Sequence, residues 1–170
     1  MTGSDTTSPE TSPDTLSNYP YEALTIGQTA TYSKVIEEQD VQLFAAVSGD
    51  VNPVHLDAEF AATTQFGERI AHGMLSGAVI SAALAMELPG PGTIYLGQSL
   101  KFRKPVLLGD TVTVTLTVSE KNDKRRFVTL DCSVTNQAGD VVVSGEALVM
   151  APSEKMTIQR PDLPKFERIA

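Results

Sequence analysis

The chain has 170 residues, a formal net charge of −8 at pH 7 and a hydrophobic content of 41%. This length and apolar content are typical of one domain with its own core, and the negative charge argues against a nucleic-acid-binding protein, which would carry a basic patch. The only cysteine, Cys132, excludes an internal disulfide, and with two histidines no metal-ligand cluster stands out, so we predict no metal site.

The two ends of the chain differ in composition from its middle. Residues 1–20 are rich in Thr, Ser, Pro and Asp, which predicts a disordered N-terminal tail. Residues 151–170 are Pro-rich and charged without periodicity, which predicts a C-terminal tail or linker and leaves 21–150 as the folded domain. We find neither a signal peptide nor an apolar run of the ~20 residues that span a bilayer, so we expect a soluble cytoplasmic protein without membrane contact.

The first half of the domain predicts one strand and three helices. A β-rich run predicts a strand at 28–36, and Asp40 is expected to cap a helix at 41–48. A short helix is predicted at 57–62. The longest helix, 72–88, has almost no polar face, so we expect it to be buried nearly all round, with small residues that let other backbones approach closely.

The second half of the domain predicts an antiparallel meander. The strands are expected at 94–104, 111–120, 126–136 and 140–150. Residues 111–118 alternate strictly between Thr and apolar residues, which is typical of a half-buried antiparallel strand. A curved sheet wrapped around the long helix is the economical packing for these elements, so we predict an α+β fold.

An acid and an imidazole, Asp50 and His55, stand five residues apart around an Asn-Pro turn. Pro53 has a fixed φ and disfavours a helical conformation at Asn52, so the turn can direct both side chains toward one point. A carboxylate and an imidazole that share one water are the usual groups for proton transfer near neutral pH. The predicted start of the long helix, at Gly73, adds unpaired N–H groups and a positive dipole end for an oxyanion.

The ordered motifs D-x-N-P-x-H and H-G-M carry a family resemblance. With the segments around them, they make residues 25–150 resemble the MaoC-like R-specific enoyl-CoA hydratases. The matching segments are 44–50, 52–57, 60–61, 72–75, 94–102, 105–106 and 109–110. The resemblance implies a hot-dog fold, in which a strongly curved sheet wraps a central helix. It also implies hydration of trans-2-enoyl-CoA to (R)-3-hydroxyacyl-CoA, without a cofactor, by a homodimer.

The resemblance further implies which residues form the site. The acid–base pair would be Asp50 and His55, and Gly73 would be the oxyanion donor. Ser81 would contact the substrate, and Leu84 and Val149 would line the acyl pocket. We favour His55 as the base for water and Asp50 as the acid for the α-carbon, while the reverse assignment stays open. Leu84 lies one helical turn past Ser81, on nearly the same face, and would point along the acyl chain.

Each of these residues also has a plain structural interpretation. Asp50 is a common turn residue, and His55 would suit a helix start. His72 would pin the loop before the long helix, Gly73 would allow close packing, and Ser81 would bond to its own preceding turn. The two acyl-pocket residues would belong to the core, as Cys132 is expected to do. Five basic residues have two interpretations: they would hold coenzyme A phosphates or lie on a solvated strand edge. They are Lys101, Arg103, Lys104, Arg125 and Arg126.

Two other functions suit the same fold. An acyl-CoA thioesterase also needs a carboxylate and an oxyanion helix, but hydration uses both members of the acid–base pair in two proton transfers. A non-catalytic acyl-binding or dimerisation module would leave that pair without a use. We therefore favour a hydratase acting on acyl-CoA, and the acyl chain length and the pathway stay open.

Overall fold

The computed structural model describes residues 14–167, and this range contains seven strands and four α-helices. The strands are β1 (Thr15–Ser17), β2 (Thr29–Val35), β3 (Ile94–Phe102), β4 (Thr111–Asn122), β5 (Phe127–Thr135), β6 (Val141–Met150) and β7 (Thr157–Gln159). The helices are α1 (Glu38–Ser48), α2 (Pro53–Leu56), α3 (Ala58–Ala62) and α4 (Gly73–Met86), with a 3₁₀ turn at Tyr21–Ala23. The predicted strands and helices are confirmed with small changes at their ends, and β1, α2 and β7 are additional. No helix of the described range is long and apolar enough to cross a membrane.

The start of α1 differs from the prediction. The sequence predicts Asp40 as the residue before the helix, but the helix begins at Glu38 and Asp40 lies in its first turn. There its Oδ2 accepts the N–H of Glu37 at 2.8 Å, and its Oδ1 pairs with Lys34 of β2 at 2.9 Å. Asp40 therefore caps the helix from within, as the third helical residue, whose side chain closes a capping box with Glu37.

Five strands form one antiparallel sheet in the order β2-β4-β5-β6-β3, and α4 packs against β2, β3, β4 and β5. A flat five-stranded sheet is about 19 Å across, which is wider than a helix of about 10–12 Å. Because α4 contacts both edge strands, β2 and β3, the sheet must curve around it. This is the predicted hot-dog architecture, and the α+β fold class is confirmed.

The core lies between α4 and the concave face of the sheet. Alternate residues of β4 and β5 are buried, as the Thr and apolar alternation predicts. The buried residues of these strands are Val112, Val114, Leu116, Val118, Val128, Leu130, Cys132 and Val134. Burial raises the pKa of the Cys132 thiol to about 11, which agrees with its predicted place in the core.

Two glycines let β3 lie close to β6 and to α4. A Cβ at Gly145 of β6 would lie 1.9 Å from the carbonyl oxygen of Ser99 in β3, so no side chain fits there. A Cβ at Gly77 of α4 would lie 3.2 Å from Leu100 Cδ1 and 3.3 Å from Met74 Cε. The long helix is therefore slim on the side that faces β3, as its small residues predict.

The two ends of the described chain pair with each other, which corrects the predicted tails. β1 and β7 form a two-stranded antiparallel sheet. Ordered segments therefore extend beyond 21–150 on both sides, into the ranges 1–20 and 151–170. Residues 1–13, and with them most of the predicted N-terminal tail, lie outside the described residues, as do residues 168–170.

One buried amide contributes to holding these end segments together. Asn18, just after β1, is 0% exposed. Its Nδ2 donates to the carbonyls of Pro91 and Glu154, both at 3.0 Å, and its Oδ1 accepts the N–H of Met156 at 2.9 Å. A buried amide needs such partners, so Asn18 ties both ends of the chain to the turn between α4 and β3.

The close contact at Gly145 gives a stability prediction. Gly145→Ala should destabilise the protein by roughly 1–3 kcal/mol or more, because its Cβ overlaps a backbone oxygen that cannot rotate away. Gly97→Ala in β3 is the matched control, since its Cβ would meet only Leu148 Cβ at 3.9 Å, and it should change stability by about 0.5 kcal/mol or less. Urea unfolding of both variants measures the difference, and equal stabilities would contradict the close approach of the two strands.

Candidate active site

The loop between α1 and α2 carries Asp50 and is shaped by its neighbours. α1 ends at Gly49, whose φ of 78° is the left-handed conformation that favours glycine. Asn52 then caps α2 by accepting a backbone N–H at 3.2 Å, and Pro53 occupies the first helical position. The predicted turn is thus a helix start, which places Asp50 just before α2 and His55 on it.

The two predicted acid–base groups face each other. His55 Nε2 lies 4.0 Å from Asp50 Oδ2, and the Asp50 side chain is 52% exposed. His55 Nδ1 lies 2.8 Å from the carbonyl oxygen of Ile70, so this nitrogen carries the hydrogen and donates it, which leaves a lone pair on Nε2. The 4.0 Å separation is too long for a direct hydrogen bond, and it lets one water lie about 2.8 Å from both atoms.

A second imidazole, that of His72, contacts both members of the pair. Its Nε2 donates to the backbone carbonyl of Asp50 at 2.9 Å, and its ring stacks on that of His55 with 3.8 Å between centroids. The ring of Phe44 also lies near that of His72, at 5.0 Å between centroids. The sequence predicts only a loop-pinning role for His72. Its place directly before the glycine of H-G-M is the signal that could have assigned it to the site.

The start of α4 presents free N–H groups beside this cluster. His72 precedes Gly73, the first residue of the helix, and its side chain does not cap it. The N–H of Leu75 donates to the carbonyl of His72 at 3.0 Å, whereas those of Gly73 and Met74 have no acceptor among the described residues. Unpaired N–H groups and the positive end of the helix dipole favour an anionic oxygen at this position.

Two cavities meet at the start of α4. The first, of about 440 Å³, is lined in part by Asp50, His72, Gly73 and Phe102. The second, of about 300 Å³, shares the last three of these residues and adds Ser76. The Phe102 ring packs on the helix start, because a Cβ at Gly73 would lie 3.0 Å from it. The first cavity is thus lined both by Asp50 and by the residues with free N–H groups, Gly73 and Met74.

The other three predicted site residues lie elsewhere on α4 and in the sheet. Ser81 is half-buried on α4 and lines neither cavity. Leu84 is 2% exposed, Val149 is 0% exposed, and both belong to the core cluster. Their contact with a substrate stays a prediction.

Two of the five basic residues considered for coenzyme A line the second cavity, namely Arg103 and Lys104. Arg103 Nε donates to Ser144 Oγ at 3.1 Å. Lys104 pairs with Asp140 at 2.8 Å, and this hydrogen bond and charge lower the pKa of the Asp140 carboxyl. The other three basic residues line neither cavity.

The cluster of Asp50, His55 and His72 also has to be considered as a metal site. One ligand atom from each lies within 4.8 Å of the others. The two imidazole rings, however, are stacked with only 28° between their planes. Lone pairs lie in the ring plane, so those of stacked rings point side by side rather than toward one centre. The arrangement therefore suits proton transfer better than tetrahedral coordination of a metal ion.

The curved sheet, the buried helix and the Asp–His pair near the helix start define a hot-dog protein with a carboxylate and an imidazole beside its cleft. Comparison with known families agrees with this class. The family described as MaoC like domain matches residues 9–138, which is most of the chain, and the chain belongs to this family.

Several relatives are similar to this chain over most of their length. The chain is 50% identical to an (R)-specific enoyl-CoA hydratase of Rhodospirillum rubrum over 142 residues, which cover 84% of this chain and 98% of the relative. It is 45% identical to the (R)-specific enoyl-CoA hydratase of Aeromonas caviae over 131 residues, or 77% and 98% of the two chains. The solved structure of the unliganded R-hydratase PhaJ1 from Pseudomonas aeruginosa superimposes with a TM-score of 0.87 at 58% identity, covering 91% of this chain and 99% of that one.

Proposed function

We propose that this chain is an (R)-specific enoyl-CoA hydratase, which adds water to trans-2-enoyl-CoA to give (R)-3-hydroxyacyl-CoA without a cofactor. The observation that carries the proposal is the free Nε2 lone pair of His55, which lies 4.0 Å from the Asp50 carboxylate. The His55 ring also stacks on His72, the residue directly before the unpaired N–H of Gly73. The similarity to the hydratases of R. rubrum and A. caviae supports it. The R configuration follows from those relatives, since the geometry of the pair does not select it.

The reaction needs two proton transfers around one water. His55 Nε2 takes a proton from the water as the water oxygen bonds to C3 of the enoyl group. A protonated Asp50 gives its proton to C2, and the carboxylate then recovers a proton from the imidazolium of His55. The hydrogen bond from His55 Nδ1 to Ile70 supports His55 as the base, because it leaves Nε2 as the acceptor. The pair is coupled, so the reverse assignment is the alternative.

Charge develops on the thioester oxygen as water adds to the double bond. The N–H of Gly73 has no other acceptor among the described residues and lies at the positive end of α4. A preorganised donor of this kind stabilises such an oxygen by roughly 3–4 kcal/mol. Gly73 is therefore proposed as the oxyanion donor.

The substrate and the assembly are proposed on the same basis. Ser81 would contact the substrate, with Leu84 and Val149 as walls of the acyl pocket. Within residues 14–167, strand β3 lies at the edge of the sheet and pairs only with β6, and it exposes apolar side chains that a second copy would cover. A homodimer joined through this edge is therefore proposed. A cytoplasmic location remains a prediction from the sequence.

The activity and its acid–base pair are tested together with crotonyl-CoA. The protein should consume the conjugated double bond without releasing thiol, and an S-specific 3-hydroxyacyl-CoA dehydrogenase should not oxidise the product. Asp50→Asn and His55→Gln should each lower the rate by roughly 100- to 10,000-fold, and the double variant should be scarcely slower than either. Thiol release would indicate a thioesterase, no reaction would indicate a binding module, and a single variant with more than about a tenth of the activity would contradict the pair.

The oxyanion donor is tested by removing one hydrogen. Gly73→Pro deletes the N–H at the first helical position, where proline is tolerated, and the ψ of 135° at His72 suits a residue before proline. Gly73→Ala is the matched control, because it adds a Cβ near Phe102 but keeps the N–H. The kcat of the Pro variant should be roughly 100- to 1,000-fold below that of the Ala variant. Equal kcat values would exclude Gly73 as the donor.

The acyl pocket is tested by chain length. Leu84→Ala and Val149→Gly should raise activity on six- and eight-carbon enoyl-CoA relative to crotonyl-CoA if the two residues are pocket walls. If they are only core residues, Leu84→Ala should cost roughly 2–5 kcal/mol of stability and lower activity on all chain lengths alike. Steady-state kinetics on four-, six- and eight-carbon substrates, together with thermal unfolding, separate the two outcomes.

The proposed dimer is tested by mass. Light scattering should give twice the 18.2 kDa of one chain, or a multiple of that mass. Leu96→Lys, on the exposed edge strand, should shift the protein toward monomer because it adds charge to the apolar strand edge. A wild-type monomer at micromolar concentration would contradict the proposal.

A further inference from the structure

We infer that His72 is a positioning residue, which holds the Asp50 carboxylate, the His55 imidazole and the Gly73 N–H in one arrangement; this inference rests on the proposed hydratase function. The reaction needs all three groups around one water and one thioester oxygen. They come from a loop, from α2 and from α4. His72 contacts each of them through a different part of its structure.

The first contact is a hydrogen bond to the loop that carries Asp50. His72 Nε2–H donates to the backbone carbonyl of Asp50 at 2.9 Å. The other hydrogen bonds of Asp50 in the described structure join it to Ser48 and Asn52, its neighbours in sequence. The loop is exposed to solvent, whereas His72 is buried. The bond from His72 therefore ties this exposed loop to the buried residue that directly precedes α4.

The second contact is the ring stack on His55. The hydrogen bond from His55 Nδ1 to Ile70 fixes one atom of that imidazole. The face of His72, 3.8 Å away, fixes the plane of the ring and hence the direction of the Nε2 lone pair. The third contact is covalent, because His72 is the residue directly before Gly73. A shift of His72 would therefore move the base, the carboxylate and the oxyanion donor relative to one another.

The Nδ1 atom of His72 shows whether this residue has a positioning role or only fills space in the core. His72 Nδ1 is buried and has no hydrogen-bond partner in the described part of the chain. Burying an unpaired acceptor is unfavourable, and a phenyl ring would pack against Phe44 and His55 without this cost. An imidazole at this position is therefore explained by its Nε2–H, which donates to the Asp50 carbonyl and which a phenyl ring lacks.

The test compares variants that keep different parts of His72. His72→Phe keeps a stacked ring and loses the donor, and His72→Gln keeps a donor and loses the ring. His72→Phe should lower kcat on crotonyl-CoA on the order of 100-fold, as expected for misplaced reacting groups, with little change in KM and no loss of melting temperature. His72→Gln should recover part of that kcat. Val118→Ala is the control for destabilisation, since this core residue lines neither cavity and should keep the wild-type kcat per folded molecule.

A spectroscopic measurement tests the geometry without substrate. Long-range ¹H–¹⁵N NMR of the wild-type protein should show the hydrogen on Nε2 of His72 and on Nδ1 of His55. A hydrogen on Nδ1 of His72 would overturn the inference, because Nε2 could not then donate to Asp50. Wild-type hydration with an unimpaired His72→Phe variant would overturn the positioning role alone. Absence of wild-type hydration would overturn the proposed function and this role with it.

Discussion

The close approach of β3 to α4 and β6 is the constraint on which the rest of the structure depends. It is possible because Gly77 and Gly145 present no side chain to β3, where a Cβ would meet Leu100 or the backbone of Ser99. The sheet can then curve until both of its edge strands contact the helix. The last residue of β3, Phe102, consequently packs against the start of α4, and the cleft forms where the strand, the helix start and the loop after α1 meet.

Backbone carbonyls then set the orientation of the side chains in this cleft. The carbonyl of Ile70 receives the His55 Nδ1–H, and the carbonyl of Asp50 receives the His72 Nε2–H. The two stacked imidazoles are thus in opposite tautomers, and only His55 presents its lone pair to the Asp50 carboxylate. Main-chain hydrogen bonds thus fix the orientation of both imidazoles in this cleft.

The sequence predicted the parts of this molecule that depend on local pattern. The Thr and apolar alternation of 111–118 predicted β4, and the spacing of Asp50, Pro53 and His55 predicted the pair. The pairing of β1 with β7 was missed, because it joins residues about 140 apart, and neither segment carries a local pattern that identifies its partner. The short helix α2 was missed although Asn52 and Pro53 carry a helix-start signal. The part played by His72 depends on a ring stack and on one carbonyl, which no spacing along the chain reveals.

The central claim is that Asp50 and His55, acting around one water, add the hydroxyl and the proton to the same face of the double bond. Hydration of trans-crotonyl-CoA in ²H₂O tests it most directly. NMR of the released 3-hydroxybutyrate gives the relative configuration of the deuterium at C2 and the hydroxyl at C3. The account predicts a single diastereomer, that of syn addition. A product of anti addition, or a mixture of both diastereomers formed before any exchange, would contradict it.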